Sequence, residues 1–243
     1  MPAQYPTESA FLADYNARDF AAPLLTVDPV LFTYHEQQLS VLLVKRTQFP
    51  DKNLWGLPGG FVDLVQDQNL EATARRKLHE KTGVIPPYLE QLYTVGNAQR
   101  DKRGWAVTVA YTALIAYQTC EVHIDTVSDA RWFPLNQAQR MTLAFDHAAI
   151  IDYARERLRQ KALYSIVPAY ALPETFTLSE LQHLHEVLIG KRLQKKSFRR
   201  RIEQAELLID TGLKYSDQAG RPAALYRMKA HAGDFTFVRN LEE

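Results

Sequence analysis

Leu54-Trp55-Gly56-Leu57-Pro58-Gly59-Gly60-Phe61 and, further on, Arg76-Lys77-Leu78-His79-Glu80-Lys81-Thr82-Gly83-Val84 are the stretches on which the reading of this chain turns. The first is a glycine turn. The second closes a helix, because Leu70, Ala74 and Leu78 recur at helical spacing and Gly83 stops the pattern. Before the turn, Val27 to Tyr34 and Leu39 to Lys45 are β-branched and apolar around the polar His35-Glu36-Gln37-Gln38, which predicts a hairpin. After the helix, Tyr93 to Gly96, Trp105 to Ala116 and Trp132 to Leu135 read as strands, and Phe145 to Gln160 as a closing helix. Strands and helices mixed in this way predict an α+β domain. Tyr164 to Glu174, with two prolines, is the best linker, and a cut near Gln160 gives units of residues 1–160 and 161–243.

The two opening stretches together resemble the Nudix box, whose pattern is G-x5-E-x7-R-E-U-x-E-E-x-G-U with U aliphatic. Arg76, Leu78, Glu80, Gly83 and Val84 keep that pattern, while Lys77 and Lys81 stand where the family has helix glutamates. Two extra residues lie in the loop near Gln66, where another glutamate is expected. Positions 77, 80 and 81 are spaced i, i+3 and i+4, so they project from one helix face. The family gathers magnesium on that face. Two carboxylates replaced by ammonium groups take its charge from about −3 to about +1, and magnesium needs carboxylates and substrate phosphates to complete its shell. The expectation is a Nudix-like domain with no catalytic residues, no metal ligands and no required cofactor.

A disabled hydrolase still has a pocket. Gly59, Gly60, Phe61, Arg76 and Glu80 are assigned to it from the box, and the glycine turn, Arg76 and the cationic replacements Lys77 and Lys81 can bind a phosphorylated ligand without activating water. Arg100-Asp101-Lys102-Arg103-Gly104-Trp105 resembles a segment of the Nudix branch that handles ADP-ribose, which implies a pyrophosphate ligand. Arg46, Arg100 and Arg103 offer planar, bidentate donors for it, and Phe61 or Trp105 a face for a base. The competing readings are solvated strand-end charges for the arginines and core packing for the aromatics. His147, in Phe145-Asp146-His147, belongs either at the pocket rim or behind an Asp146 helix cap, the cap being the simpler account. Cys120 and the histidines carry no legible role.

The chain of 243 residues, 46% hydrophobic, is globular in composition, and its single cysteine excludes an internal disulfide framework. The opening MPAQYPTESAFLADY lacks a basic and apolar leader, and no apolar run reaches membrane-spanning length, so a cytoplasmic protein is expected. The net charge of +1 hides an asymmetry: residues 1–160 carry 16 Lys and Arg against 18 Asp and Glu, and 161–243 carry 13 against 10. Seven of the eleven residues from Lys191 to Arg201 are cationic and none is acidic. Around them, Thr177-Leu178-Ser179-Glu180 is a capping box that opens a helix with an apolar face at Leu178, Leu181, Leu184 and Leu188. Gly190 breaks it, and Lys196 to Asp210 repeats the helical period through Phe198, Ile202, Ala205 and Ile209 until Gly212. Leu213 to Tyr215 and Leu225 to Lys229 then form a wing hairpin. The expectation is a winged helix-turn-helix.

Lys195, Lys196, Ser197, Arg199 and Arg200 sit at the start of the second helix, where a recognition helix meets DNA, and Arg221 sits at the wing tip. A solvated basic face is the bland alternative, but Leu193 and Phe198 interleave the charges with apolar anchors. With the damaged box, the Arg100 to Trp105 segment, Phe145-Asp146-His147 and Arg221-Pro222-Ala223-Ala224-Leu225-Tyr226, the whole chain resembles the NrtR family, Nudix-related transcriptional regulators of NAD metabolism. That resemblance implies a homodimer on a palindromic operator of double-stranded DNA, and release of that DNA by ADP-ribose or a related NAD-derived effector. The rival readings are an ADP-ribose or nucleotide-sugar pyrophosphatase with an accessory C-terminal domain, and an RNA-binding Nudix protein.

Overall fold

The computed structural model describes residues 5–16, 19–122, 124–216, 222–238 and 241. A short helix, α1 (Glu8–Asp14), precedes the hairpin of β1 (Leu24–His35) and β2 (Gln38–Arg46). The hairpin turns through Glu36 and Gln37, both at positive φ. Two-residue strands β3 (Trp55–Gly56) and β4 (Gly60–Phe61) bracket the glycine turn: β3 pairs with β2, and β4 lays Gly60 and Phe61 against Val27 and Thr26 of β1. α2 runs Leu70–Thr82, with the Asn69 side chain accepting the Ala72 N–H at 2.8 Å and Gly83 closing it at φ 71°. It lays Ala74 and Leu78, both fully buried, on the sheet.

β5 (Tyr88–Asn97), β6 (Ala106–Leu114) and β7 (Val127–Pro134) complete a sheet of order β3-β2-β1-β6-β5, with β4 beside β1 and β7 beside β2. Only β1 and β6 run parallel; the other pairs are antiparallel, so the sheet is mixed, as expected. A turn of helix, α3 (Leu135–Ala138), and the long α4 (His147–Tyr164) follow, α4 continuing past Gln160.

The expected linker is no linker in packing terms. Residues Val167–Ala171 form a 3-10 turn, and Ile166, Val167, Ala169, Ala171 and Leu172 are all buried. Its prolines mark a rigid turn pressed into the core, because the residues between them are apolar and leave water when α4 packs on the next helix.

β8 (Phe176–Thr177) leads into α5 (Leu178–Ile189), whose capping box forms in full: Glu180 N–H donates to Thr177 Oγ1 at 3.1 Å and Thr177 N–H to Glu180 Oε2 at 2.7 Å. α6 is Lys195–Gln204, shorter than the helix expected over Lys196 to Asp210. Glu206 at φ 52° ends the helical path, and Ile209 and Asp210 belong to β9 (Leu208–Tyr215), where Gly212 sits at φ 72° inside the strand. β10 (Ala223–Met228) pairs with both β8 and β9, giving a three-stranded wing sheet.

One apolar cluster joins both halves, from Phe32 of β1 through Ile150 and Leu158 of α4 to Leu181 and Leu184 of α5 and Phe198 and Ile202 of α6. Polar links reinforce it. His185 Nδ1 of α5 lies 2.9 Å from the Ala162 carbonyl near the end of α4, and the Tyr34 hydroxyl of β1 meets His183 of α5.

Candidate functional site

A cavity of about 250 Å³ opens beside the glycine turn, between β1, β2, α2 and the start of α4. Its floor is built on Asp28, a carboxylate 5% exposed in the apolar run of β1. Arg100 Nη2 donates to Asp28 at 3.2 Å, and His147 Nε2 stands 3.5 Å away. His147 Nδ1 accepts the Leu57 N–H at 2.9 Å, which puts the imidazole proton on Nε2, facing Asp28. Burial works against an ionised Asp28, but His147, Thr108 and Arg100 outweigh it and hold the carboxyl well below the usual range. Arg100 also grips Asp146 through Nε at 3.1 Å and Nη2 at 3.0 Å. Asp146 therefore does not cap α4, as the simpler reading expected; it caps nothing with its side chain and pairs with Arg100 instead, leaving His147 in the cavity wall. Removing one member of such a buried set costs about 3–5 kcal/mol, since a charge is left without its partner.

Two guanidinium groups lie over aromatic rings at the mouth. Arg103 sits 4.8 Å above Phe61, and its fork is held by Asp101, with Nη2 at 2.6 Å from Oδ2. Arg46 sits 4.6 Å above Phe145 and donates to the Pro50 carbonyl through Nε at 3.1 Å and Nη2 at 2.9 Å. From α2, Lys81 Nζ donates to the Gly59 carbonyl at 2.5 Å and Lys77 Nζ to Glu80 at 3.0 Å. Burial, then the Lys77 charge, lower the Lys81 ammonium to about 8.

Of the residues singled out from sequence, Arg46, Gly59, Gly60, Phe61, Arg100 and Arg103 come together in this lining. Arg76, Glu80 and Trp105 stand outside it. Arg76 is committed to Asp67, with Nε at 2.7 Å and Nη2 at 2.5 Å, and to Glu80 at 2.9 Å. The Trp105 ring is packed across Gly96 on the neighbouring strand. Sequence reasoning missed Asp28 and Phe145. A lone carboxylate in the apolar run Val27-Asp28-Pro29-Val30 was the available signal for the first, because an unpaired charge is not buried without a partner; for Phe145 it was the Phe145-Asp146-His147 segment, in which only His147 was weighed for the pocket.

The second surface is the exposed side of α6. Phe198 and Ile202 are its buried anchors; Lys196 and Arg200 stand in solvent on the opposite face, and Lys195 is exposed at the helix start. Ser197 is half-buried, its N–H capped by the Gln194 side chain at 2.5 Å. Arg199 is half-buried too and turns back toward α5, donating to Ser179 Oγ at 3.1 Å. The tight turn between the helices is set by Glu186, which accepts the Leu193 N–H at 2.9 Å, while Gln182 Nε2 donates to the Leu193 carbonyl at 3.1 Å. Arg221 lies outside the described residues.

The chain is 46% identical to the ADPR responsive transcriptional repressor NtrR of Acinetobacter baylyi over 239 residues, 98% of this chain and 95% of that protein. It belongs to the NrtR family. The NrtR DNA-binding winged helix domain matches residues 168–228, taking in α5, α6 and the wing, and the NUDIX domain matches residues 24–154, taking in the sheet, α2 and the start of α4. The crystal structure of Shewanella oneidensis NrtR complexed with a 27mer DNA is 63% identical, with a TM-score of 0.84 over 90% of this chain and 99% of that one. The Nudix domain of the same NrtR complexed with ADP ribose is 60% identical, with a TM-score of 0.62 over 63% of this chain and 99% of that one. The fold is thus a Nudix domain with a mixed sheet joined to a winged helix, as in NrtR. Among the described residues no helix is long and apolar enough to cross a membrane.

Proposed function

We propose that this chain is a cytoplasmic transcriptional repressor of NAD-metabolism genes. It binds a palindromic operator as a homodimer and releases it when ADP-ribose, or a related NAD-derived compound, enters the cavity beside Gly59. The observation that carries this reading is the coexistence, around one core, of a cation-rich cavity and a separate basic helix held on Phe198. The similarity to repressors and to structures with DNA and with ADP ribose supports it.

In this reading residues 1–160 are the effector unit and 161–243 the DNA unit. Arg46, Phe61, Arg100 and Arg103 surround the effector, with Gly59 and Gly60 letting the backbone approach it. Arg76, Glu80 and Trp105 act from behind, bracing α2 and the strand ends. Lys195, Lys196 and Arg200 face the DNA, Arg199 and Ser197 orient α6, and the sequence adds Arg221 as a further DNA contact. Two α6 helices in a two-fold dimer reach successive turns of the major groove, so the operator is a palindrome. Lys77 and Lys81 on the face that holds magnesium in Nudix enzymes support a receptor without hydrolase activity. The test is binding to duplex DNA from upstream of the chain's own gene and of neighbouring NAD-metabolism genes, with and without ADP-ribose. Tight, palindrome-dependent binding that ADP-ribose weakens is expected; an operator affinity indifferent to ADP-ribose overturns the reading, and magnesium-dependent cleavage of ADP-ribose by the chain favours an enzyme.

A further inference from the structure

The Nudix fold implies a divalent cation at the face of α2, and the residues present do not fit one. A hard dication requires free carboxylate oxygens. Glu80 is occupied by Arg76 and Lys77. Asp28 and Asp101, the carboxylates of the lining, are held by Arg100 and Arg103. The lining is cationic: five Lys and Arg side chains stand against these two carboxylates. Three of the five are paired with acids, Lys77 with Glu80, Arg100 with Asp28 and Asp146, and Arg103 with Asp101. The remaining two, Arg46 and Lys81, make their hydrogen bonds to backbone carbonyls, of Pro50 and of Gly59. Neither makes an ion pair among the described residues; Asp28, with Asp51 and Asp101 for Arg46 and Glu80 for Lys81, acts on them only from a distance.

Resting on the effector reading above, we infer that the cavity binds the pyrophosphate of its ligand without a metal ion, through Lys81 and Arg46, with the Lys81 ammonium in place of the cation. The Gly59 carbonyl anchors Lys81 with its remaining N–H bonds available, and Arg46 is held at the mouth by Phe145. An ammonium on a half-buried side chain with a single carbonyl partner is incompletely compensated, and an arriving phosphate reduces that penalty. Each contact is a charge-assisted hydrogen bond, the class worth about 1.5–3 kcal/mol.

The experiment is calorimetric titration of the full chain with ADP-ribose in EDTA and again in magnesium chloride. Equal affinity in the two buffers is expected, with Lys81→Met and Arg46→Met each weakening binding about tenfold or more in both. Folding of each variant is checked by its melting curve, and because the two lysine and arginine sites lie on different elements, a failure of one to fold leaves the other as the test. Binding that requires magnesium, or that neither substitution weakens, overturns the metal-free site while leaving the effector reading in place. Absence of binding in both buffers overturns the effector reading itself, and this inference with it.

Discussion

Lys81 is charged where burial and a neighbouring ammonium both resist charge, and its lowered pKa of about 8 makes effector binding depend on pH. A phosphate beside it stabilises the protonated form and raises that pKa. Below about pH 7 the ammonium is charged with or without ligand, so affinity is flat; above about 8 binding takes up a proton, and affinity falls by up to about tenfold per pH unit. Calorimetry from about pH 6.5 to about pH 9.5 checks this, with Lys81→Arg, charged throughout, expected to flatten the decline. A level wild-type profile over that range contradicts it. Gly59 gives a second test at this scale. A Cβ there meets Asp28 Oδ1 at 2.0 Å and the Val27 carbonyl at 2.3 Å, both fixed, whereas a Cβ on Gly60 meets the stem of Lys77 at 3.1 Å. Gly59→Ala is expected to cost about 1–3 kcal/mol in thermal unfolding and to abolish ADP-ribose binding, and Gly60→Ala, whose flexible neighbour can give way, to cost less in both. The glycines and lysines were legible from the sequence as a damaged motif. Asp28 was not, because the partners that make it tolerable, Arg100 and His147, are far away in the chain and meet it only in the fold.

α2 and α6 show why one helix was legible to its last residue and the other was not. α2 carries its own stop, Gly83 in the left-handed conformation, and its start, Asn69, so local chemistry sets both ends. α6 has no glycine after it; its helical period runs on through Ile209, and the wing sheet takes that residue because β10 offers Arg227 opposite it. Tertiary pairing overrode the period. The buried 3-10 turn was misread for the same reason, its prolines being visible and its neighbours in the core not. What α6 presents is testable by salt. Lys196→Ala and Arg200→Ala each remove an exposed cation from a helix whose anchors, Phe198 and Ile202, are untouched. Each is expected to weaken operator binding and lower the slope of log affinity against log salt by about 1, while ADP-ribose affinity stays unchanged. Fluorescence anisotropy over a salt series reads both quantities, and unaltered slopes place the DNA on another face.

At the scale of the molecule, α4 spans the distance between cavity and DNA helix. Asp146, gripped by Arg100, stands just before it, and it opens on His147, set against Asp28 and the Leu57 amide. Near its other end the Ala162 carbonyl meets His185 Nδ1 of α5, and the His185 ring lies tilted against Phe198, a buried anchor of α6, with ring centroids 5.4 Å apart. His185 is fully buried, its Nε2 finds no hydrogen-bond partner among the described residues, and burial lowers its pKa to about 4, so it works as a neutral spacer at every physiological pH. In the proposed reading, a ligand beside Arg100 acts on the start of a rod whose far end is fastened to the helix assigned to DNA. Coupling of this kind is typically about 1–3 kcal/mol and is reciprocal: the factor by which ADP-ribose weakens DNA is the factor by which DNA weakens ADP-ribose. His185→Leu keeps a side chain of similar bulk against Phe198 and deletes the bond to Ala162. It is expected to retain ADP-ribose affinity and, without ligand, operator affinity within a few fold, while the coupling factor measured in both directions drops about fivefold or more. His185→Asn, whose amide nitrogen takes the place of Nδ1 and can donate to the same carbonyl, is expected to recover part of it. If His185→Leu leaves the coupling factor at its wild-type value, the signal crosses between the two halves by another route, and the Tyr34 to His183 contact is the next to cut.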